Sequence, residues 1–321
     1  MSQYANPQKR PVRSVKHPQK GKRHPLLIFL LLILTCATIW IIGSYRVRGS
    51  AELDGVMVTD YPLPAQERIT QTTDTPLPYQ SQVAVQSFTF AQLAAISNDL
   101  LLLVNPEYAV PDYIFGDLAR ISSYVNALNS DMLLNENALV MLRAMFDSAA
   151  SIGFTQFRVT QGFRTHEYQQ NLYNQMEGTG LAAPPGHSEH QVGLAVDISY
   201  QGVNIGNSAQ GSWLMDHSYR YGFILRYPQH KTHITGVPFE PWHYRYVGQP
   251  HAYFMMRNDM VMEEYLTHLR THREITIVFE DVEFTVLYLC NEYETLEIPE
   301  GNQFWASRDN TGGIIVTITN S

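Results

Sequence analysis

Twenty consecutive residues without a charge, Leu26 to Tyr45, split this chain into two parts of opposite character. As a helix, such a run is long enough to cross the ~30 Å hydrocarbon core of a bilayer. Seven Lys and Arg and no acid precede it, whereas all 30 Asp and Glu follow it. The net charge of −8 therefore conceals a cationic tail and a strongly acidic remainder. The positive-inside rule puts the tail in the cytoplasm and the bulk of the chain outside. A cleaved signal peptide is the competing reading, but the run is long for one. Ile42-Gly43-Ser44-Tyr45-Arg46 also lacks a small-x-small cleavage pattern. Cys36, mid-run after Leu34-Thr35, stands in a poor lipoprotein context. The expectation is a basic cytoplasmic tail over 1–25 and one uncleaved transmembrane helix over 26–45, anchoring an extracytoplasmic body to the cell membrane. Nucleic acid has no support as a partner, because the external part is acidic and lacks a basic patch.

Beyond the span, composition changes twice. Residues 46–89 are rich in Pro, Thr, Gln and Asp, as in Thr70-Gln71-Thr72-Thr73-Asp74-Thr75-Pro76, and read as a flexible stalk. Residues 90–273 are enough for one domain with a substantial core. Within them, Asn135 to Gly153 has helical spacing, with Leu139, Leu142, Arg143, Met145 and Phe146 along one face. Thr165 is placed to cap a second helix with Glu167 in its first turn and Leu172, Tyr173 and Met176 buried. Ser208 to Tyr221 reads as a third. Phe157-Arg158-Val159, Ala195 to Ser199, Phe223 to Arg226 and the segment around Trp242 are strand candidates. Helices and short strands without regular alternation predict an α+β domain. Residues 274–321 hold β-branched runs, such as Ile275 to Phe279, Phe284 to Leu289 and Ile314 to Ile318, separated by turn material such as Asp309 to Gly313, and predict a small all-β appendage. Cys290 has no external partner for a disulfide and is expected to be a buried small apolar residue in a strand.

The chemistry concentrates in two phrases, Gly186 to Asp197 and Phe239 to Tyr244. They carry His190, Asp197 and His243, with Glu240 three residues before the last. Two imidazoles and a carboxylate form a three-ligand set typical of a catalytic zinc that leaves a fourth position for water. A further carboxylate beside such a water is a candidate general base. Pro241 argues against the helical His-Glu-x-x-His arrangement, and a polyproline-like stretch would bring Glu240 and His243 to one side. Ala195 to Ile198 reads as a buried strand carrying Asp197 inward, with Gly193 permitting close approach of His190. A hydrogen-bonded His/Asp cluster with no metal satisfies the same residues, since the chain's 12 His offer many chance pairings.

The phrases resemble the signatures of the VanY-type zinc D-alanyl-D-alanine carboxypeptidases (the M15B peptidases): Ser-x-His-x-x-Gly-x-Ala-x-Asp from Ser188 to Asp197 and Glu-x-Trp-His from Glu240 to His243. The similarity continues in family order over roughly residues 98–250. It takes in Leu101 to Asn105, Gln161 to Thr165, Pro184-Pro185-Gly186, Tyr221 to Pro228 and Thr235-Gly236. The resemblance implies a small antiparallel sheet flanked by helices, of the Hedgehog/DD-peptidase type, over residues 90–273. It implies one Zn2+ held by His190, Asp197 and His243, with Glu240 as catalytic base. It places Arg164 near the zinc, where a guanidinium can take a peptide carboxylate or a developing oxyanion, and makes Gln169 and Ser188 further substrate contacts. The implied substrate is a peptidoglycan stem peptide or precursor ending in D-Ala. An L,D-carboxypeptidase on tetrapeptide stems and a D,D-dipeptidase use the same metal kit, although external placement speaks against the dipeptidase. A non-catalytic cell-wall binding protein on the same fold is the alternative of another class. His230 and His233 fall in a loop where the family varies, so they are not expected at the metal.

Overall fold

The computed structural model describes residues 84–320 apart from 112–115, 178, 180–181 and 202–204. The basic tail over 1–25, the span over 26–45 and the stalk up to residue 83 lie outside the described residues. Among the described residues no helix is long and apolar enough to cross a membrane.

The N-terminal half of the described fold is built on a four-stranded sheet in which every pair is antiparallel: β4 (Phe157–Gln161), β5 (Ala195–Tyr200), β7 (His243–Tyr246) and β6 (Phe223–Leu225), in that spatial order. A two-stranded pair, β2 (Leu118–Arg120) and β3 (Leu133–Asn135), precedes helix α2 (Glu136–Ser151). Asn135 caps α2 by accepting a 3.2 Å hydrogen bond from the Ala138 amide. The helix buries Leu139, Leu142 and Met145 against Val159, Val196, Ile198 and Tyr244 of the sheet. Arg143, which shares the expected face by spacing, is exposed and pairs with Asp147.

Helix α3 (His166–Gln175) starts where expected, its cap Thr165 accepting from the Tyr168 amide. It nonetheless buries only the N-terminal end of the expected face: Gln169 is the buried residue, while Tyr173 and Met176, four and seven residues on along the same stripe, are exposed. The reason is local, because the Gln169 amide carries two hydrogen bonds that only an interior position can satisfy, Arg164 on one side and the Ala183 carbonyl on the other. Helix α4 (Ala209–His217) is capped by Ser208 and continues as a 3-10 turn through Tyr221. A short α5 (Thr232–Thr235) is followed by α6 (Gln249–Arg257) and α7 (Met262–His272).

The C-terminal β unit has a sheet of order β11 (Phe304–Arg308), β12 (Ile314–Asn320), β9 (Val282–Leu289), β8 (Glu274–Phe279), with β10 (Thr295–Pro299) outside it. The expected appendage is therefore present, yet it does not fold from residues 274–321 alone. The partner of β10 is β1 (Val85–Thr89), a strand inside the stretch expected to be stalk. Helix α1 (Phe90–Ile96), within the segment assigned to the catalytic domain, buries Leu93 among Ile298, Ala306, Val316 and Ile318. Pairing across some two hundred residues of sequence leaves no local trace, which is why this boundary could not be read from composition. Cys290 lies just past the end of β9 and is exposed, not buried in a strand.

A second core joins the two halves, with Ala252, Met255, Tyr265 and Leu269 of α6 and α7 packed against Ile277, Val286, Tyr288 and Ile315 of the β unit. A buried polar contact crosses it. His251, fully buried on α6, has Nδ1 2.7 Å from the Tyr265 hydroxyl and Nε2 3.1 Å from the Thr317 hydroxyl on β12. Burial pushes its pKa down from 6.5 to about 3. Unfolded chains bind a proton here below pH 6.5 while the folded chain does not, so this stability is whole above pH 6.5 and drains away as pH falls toward 3. The slope is about 1.4 kcal/mol per pH unit for one proton. In urea unfolding between pH 7 and 4, His251→Gln is expected to flatten the acid limb by about that slope. An unchanged limb would assign the acid sensitivity to other groups.

Candidate active site

Gln161, Asp197 and His243 occupy registered positions on the adjacent strands β4, β5 and β7, so the sheet itself brings the last two to one edge. His190 arrives from a 3-10 turn, Glu189–Val192, that Gly193 ends in the left-handed conformation at φ +77°. A side chain at Gly193 would be strained by that φ and would also have to displace the Leu118 methyl, 2.8 Å away. Glu240 and His243 converge, as the spacing suggested, but through a β-turn instead of a polyproline stretch. The His243 amide bonds back to the Glu240 carbonyl at 3.0 Å across Pro241-Trp242. Proline favours the first central position of such a turn, which returns the chain on itself within four residues. The Glu240 carboxylate lies 3.9 Å from His243 Nδ1.

The hydrogen bonds settle which imidazole nitrogens remain free. His190 Nδ1 is 2.8 Å from the Gly162 carbonyl, which can only accept, so the proton is there and the lone pair is on Nε2. His243 Nε2 is 3.3 Å from the Glu189 carboxylate and donates to it, leaving Nδ1. Both free nitrogens face one oxygen of Asp197, His243 Nδ1 at 3.0 Å and His190 Nε2 at 3.4 Å. The edge of a tetrahedron with ~2 Å bonds to nitrogen and oxygen is ~3.3 Å. A proton shared between His243 Nδ1 and Asp197 at 3.0 Å relieves the contact between these atoms, a bound cation would do the same, and the set fits a divalent metal. The three ligand atoms all fall within 4.8 Å of one another.

The electrostatics agree. Burial would raise the Asp197 carboxyl, but His190 and His243 beside it hold it below the ordinary carboxylate range. Burial alone would lower His243, yet the hydrogen bonds to Asp197 and Glu189 push it up to about 9. That pair of carboxylates around one imidazole retains a proton which a bound cation displaces. The Glu240 carboxyl is raised, chiefly by burial and then by Asp197, in the direction that suits a base working near neutrality.

Arg164 follows β4 directly, and its Nη2 is 3.8 Å from Asp197 Oδ2, at the same edge as the metal ligands. Its Nη1 donates to Gln169 Oε1 at 3.3 Å and its Nε to Gln161 Oε1 at 3.3 Å. Gln169 is fully buried behind Arg164, where it braces the guanidinium. Ser188 is buried at the start of the 3-10 turn and makes no side-chain cap there. His230 pairs with Asp259 on the surface at 2.9 Å.

Sequence reasoning missed the frame behind the ligands. Glu189, wholly buried, uses one oxygen to accept from Arg226 Nε at 2.8 Å and Arg245 Nη1 at 3.0 Å, and the other to accept from His243. Arg226 also grips Glu263 in bidentate fashion at 3.0 and 2.7 Å. Arg245 spends its remaining Nη on the carbonyls of Asp99, Leu100 and Leu102. Tyr227 covers His243 with ring centroids 4.9 Å apart. The available signal was an arginine inside each of two otherwise apolar or aromatic runs, Ile224 to Tyr227 and Tyr244 to Tyr246, which implies a buried anionic partner.

Residues 131–249 match the family model described as VanY: D-alanyl-D-alanine carboxypeptidase. A D-alanyl-D-alanine carboxypeptidase of Enterococcus faecium is 32% identical over 226 residues, 68% of this chain and 74% of that one. The bifunctional D-Ala-D-Ala dipeptidase and D-Ala-D-Ala carboxypeptidase VanXYC of Enterococcus gallinarum is 39% identical over 127 residues, 35% of this chain and 67% of that one. Among solved structures, the vancomycin resistance D,D-dipeptidase VanXYg, in complex with a D-Ala-D-Ala phosphinate analog, superimposes with a TM-score of 0.64 at 26% identity. It covers 74% of this chain and 99% of its own.

Proposed function

Because this chain belongs to the VanY family of zinc D-alanyl-D-alanine carboxypeptidases, we propose that it removes the terminal D-Ala from peptidoglycan stem peptides or their precursors at the outer face of the membrane. The observation that carries the reading is the meeting of His190, Asp197, His243, Glu240 and Arg164 at one edge of the sheet. The charge-free run Leu26 to Tyr45 and the one-sided charge around it support a single-span anchor with the catalytic body outside.

His190 Nε2, an Asp197 oxygen and His243 Nδ1 are the atoms that would hold the metal. Zinc bound there supplies a Lewis acid that polarises the scissile carbonyl and lowers the pKa of water. Glu240 takes the proton of the attacking water and returns it to the amine of the departing D-alanine as the C–N bond breaks. Arg164, braced by Gln169 and Gln161, takes the substrate's terminal carboxylate or the developing oxyanion. Water is the nucleophile, so no acyl-enzyme on Ser or Cys is involved.

The test uses the full chain in detergent with pentapeptide, tetrapeptide and free D-Ala-D-Ala, identifying the released amino acids. D-Ala release from pentapeptide is expected, abolished by a chelator and restored by zinc. Release from tetrapeptide alone would move the assignment to an L,D-carboxypeptidase. No release from any substrate would favour a binding protein on this fold.

A further inference from the structure

We propose that Asn310, in the C-terminal β unit, is a positioning residue for the substrate-carboxylate side of the active site, acting on Arg164 through two loops. The proposal rests on Arg164 reading the substrate carboxylate.

The chain of contacts begins in the turn Asp309–Gly313. Asp309 is fully buried, and its carboxylate accepts from the amides of Thr311 at 2.7 Å and Gly313 at 2.9 Å and from the Tyr288 hydroxyl at 2.7 Å. This fixes the turn and holds Asn310 in a left-handed conformation at φ +65°. From there the Asn310 amide donates twice, to the carbonyls of Leu103 at 2.9 Å and Ala109 at 2.7 Å. The Leu103 amide returns a bond to the Asp309 carbonyl at 3.1 Å. One side chain thus clips both ends of the loop 103–109 to the β unit.

That loop grips the segment entering the metal site. The Asn105 carbonyl accepts from His187 Nδ1 at 2.9 Å, and the Val110 amide donates to the Gly186 carbonyl at 2.6 Å. Asn105 Oδ1 meanwhile accepts from the amides of Glu107 and Tyr108, which fixes the loop's own shape. Three residues before Gly186, the Ala183 carbonyl accepts from Gln169 Nε2 at 2.8 Å, and Gln169 Oε1 accepts from Arg164. Gln169 is fully buried, so it has no water to fall back on if Ala183 moves.

The metal ligands are held mainly by another frame, which these loops touch at two points, Asn105 Nδ2 donating to Glu263 at 3.1 Å and the Gly186 amide to Gln191 Oε1 at 2.8 Å. His243 is fixed by Glu189, which two buried arginines secure, and His190 by the Gly162 carbonyl. Loosening the loop 103–109 is therefore expected to affect substrate binding much more than the metal or the base.

Two replacements separate the amide from the backbone. Asn310→Gly keeps the left-handed conformation and loses both donors, whereas Asn310→Asp sets a carboxylate against two carbonyl oxygens. In the full-length zinc-loaded chain with a pentapeptide substrate, each is expected to raise KM about tenfold, with kcat within about twofold and zinc content unchanged. Arg164→Lys alone is expected to raise KM, and Asn310→Gly should add almost nothing in that background, because both act on the same contact. A lowered melting temperature with KM unchanged would overturn the proposal, as would a full additive KM effect in the Arg164→Lys chain. Arg164→Lys with normal KM would instead remove the reading on which the proposal rests.

Discussion

Glu240→Ala is expected to keep its zinc and lose turnover by about 10²- to 10⁴-fold, the usual contribution of a positioned acid–base group. The separation follows from geometry. The free nitrogens of His190 and His243 and the carboxylate of Asp197 form the cluster, and Glu240 stands beside it, 3.9 Å from His243. Its side chain is also the more open one, 26% exposed against 4% for His243. Removing it deletes no metal donor and opens no gap in the core. Metal content and kcat measured on the same preparation check this. Wild-type turnover would mean that another group takes the proton, and loss of the metal would make Glu240 a ligand.

The second large effect is expected at a residue that touches no substrate. Glu189→Ala leaves the fully buried Arg245 guanidinium without its carboxylate and the equally buried Arg226 with Glu263 alone, and strips His243 Nε2 of its acceptor. Breaking a buried ion pair from one side costs about 3–5 kcal/mol, because the surviving charge is left uncompensated. Loss of an outer carboxylate behind a ligating histidine weakens metal binding by about 10- to 100-fold. Denaturant unfolding of the metal-free chain reads the first effect, and competition with a zinc chelator the second. Glu189→Gln keeps an acceptor for His243 but removes the charge, and is expected to fall between. If Glu189→Ala matched wild type in both measurements, the buried frame would have no part in holding His243. Glu263 is the instructive contrast: it pairs with the same Arg226 but is 13% exposed, so its loss lets water reach the guanidinium and should be milder.

The meeting of the donor set with Glu240 beside it was legible from short stretches of chain. His190 and Asp197 lie seven residues apart in one phrase, and Glu240 and His243 three apart in another, so each pair is organised by a single turn or strand end. Helix starts at Asn135, Thr165 and Ser208 were equally legible, since a cap is a contact between residues three apart. The route by which Glu240 meets His243 was misjudged because Pro241 is compatible with both a polyproline stretch and a β-turn, and only the 3.0 Å bond from the His243 amide to the Glu240 carbonyl selects the turn. Which residues of the inner face of α3 are buried was misjudged because hydrophobicity nominated Tyr173 and Met176, while a two-sided hydrogen-bond demand drew Gln169, on the same face, inside.

The sequence by itself determined the candidate chemistry, because the two phrases holding His190, Asp197, Glu240 and His243 match the family signatures residue by residue. Tertiary structure alone decided which nitrogen of each histidine is free, since that depends on acceptors 28 and 54 residues away, the Gly162 carbonyl and the Glu189 carboxylate. It also decided that residues 85–96 complete the C-terminal β unit and that Asn310 reaches a loop about two hundred residues upstream. Such contacts are set by strand register and by burial, which no local pattern of side chains encodes.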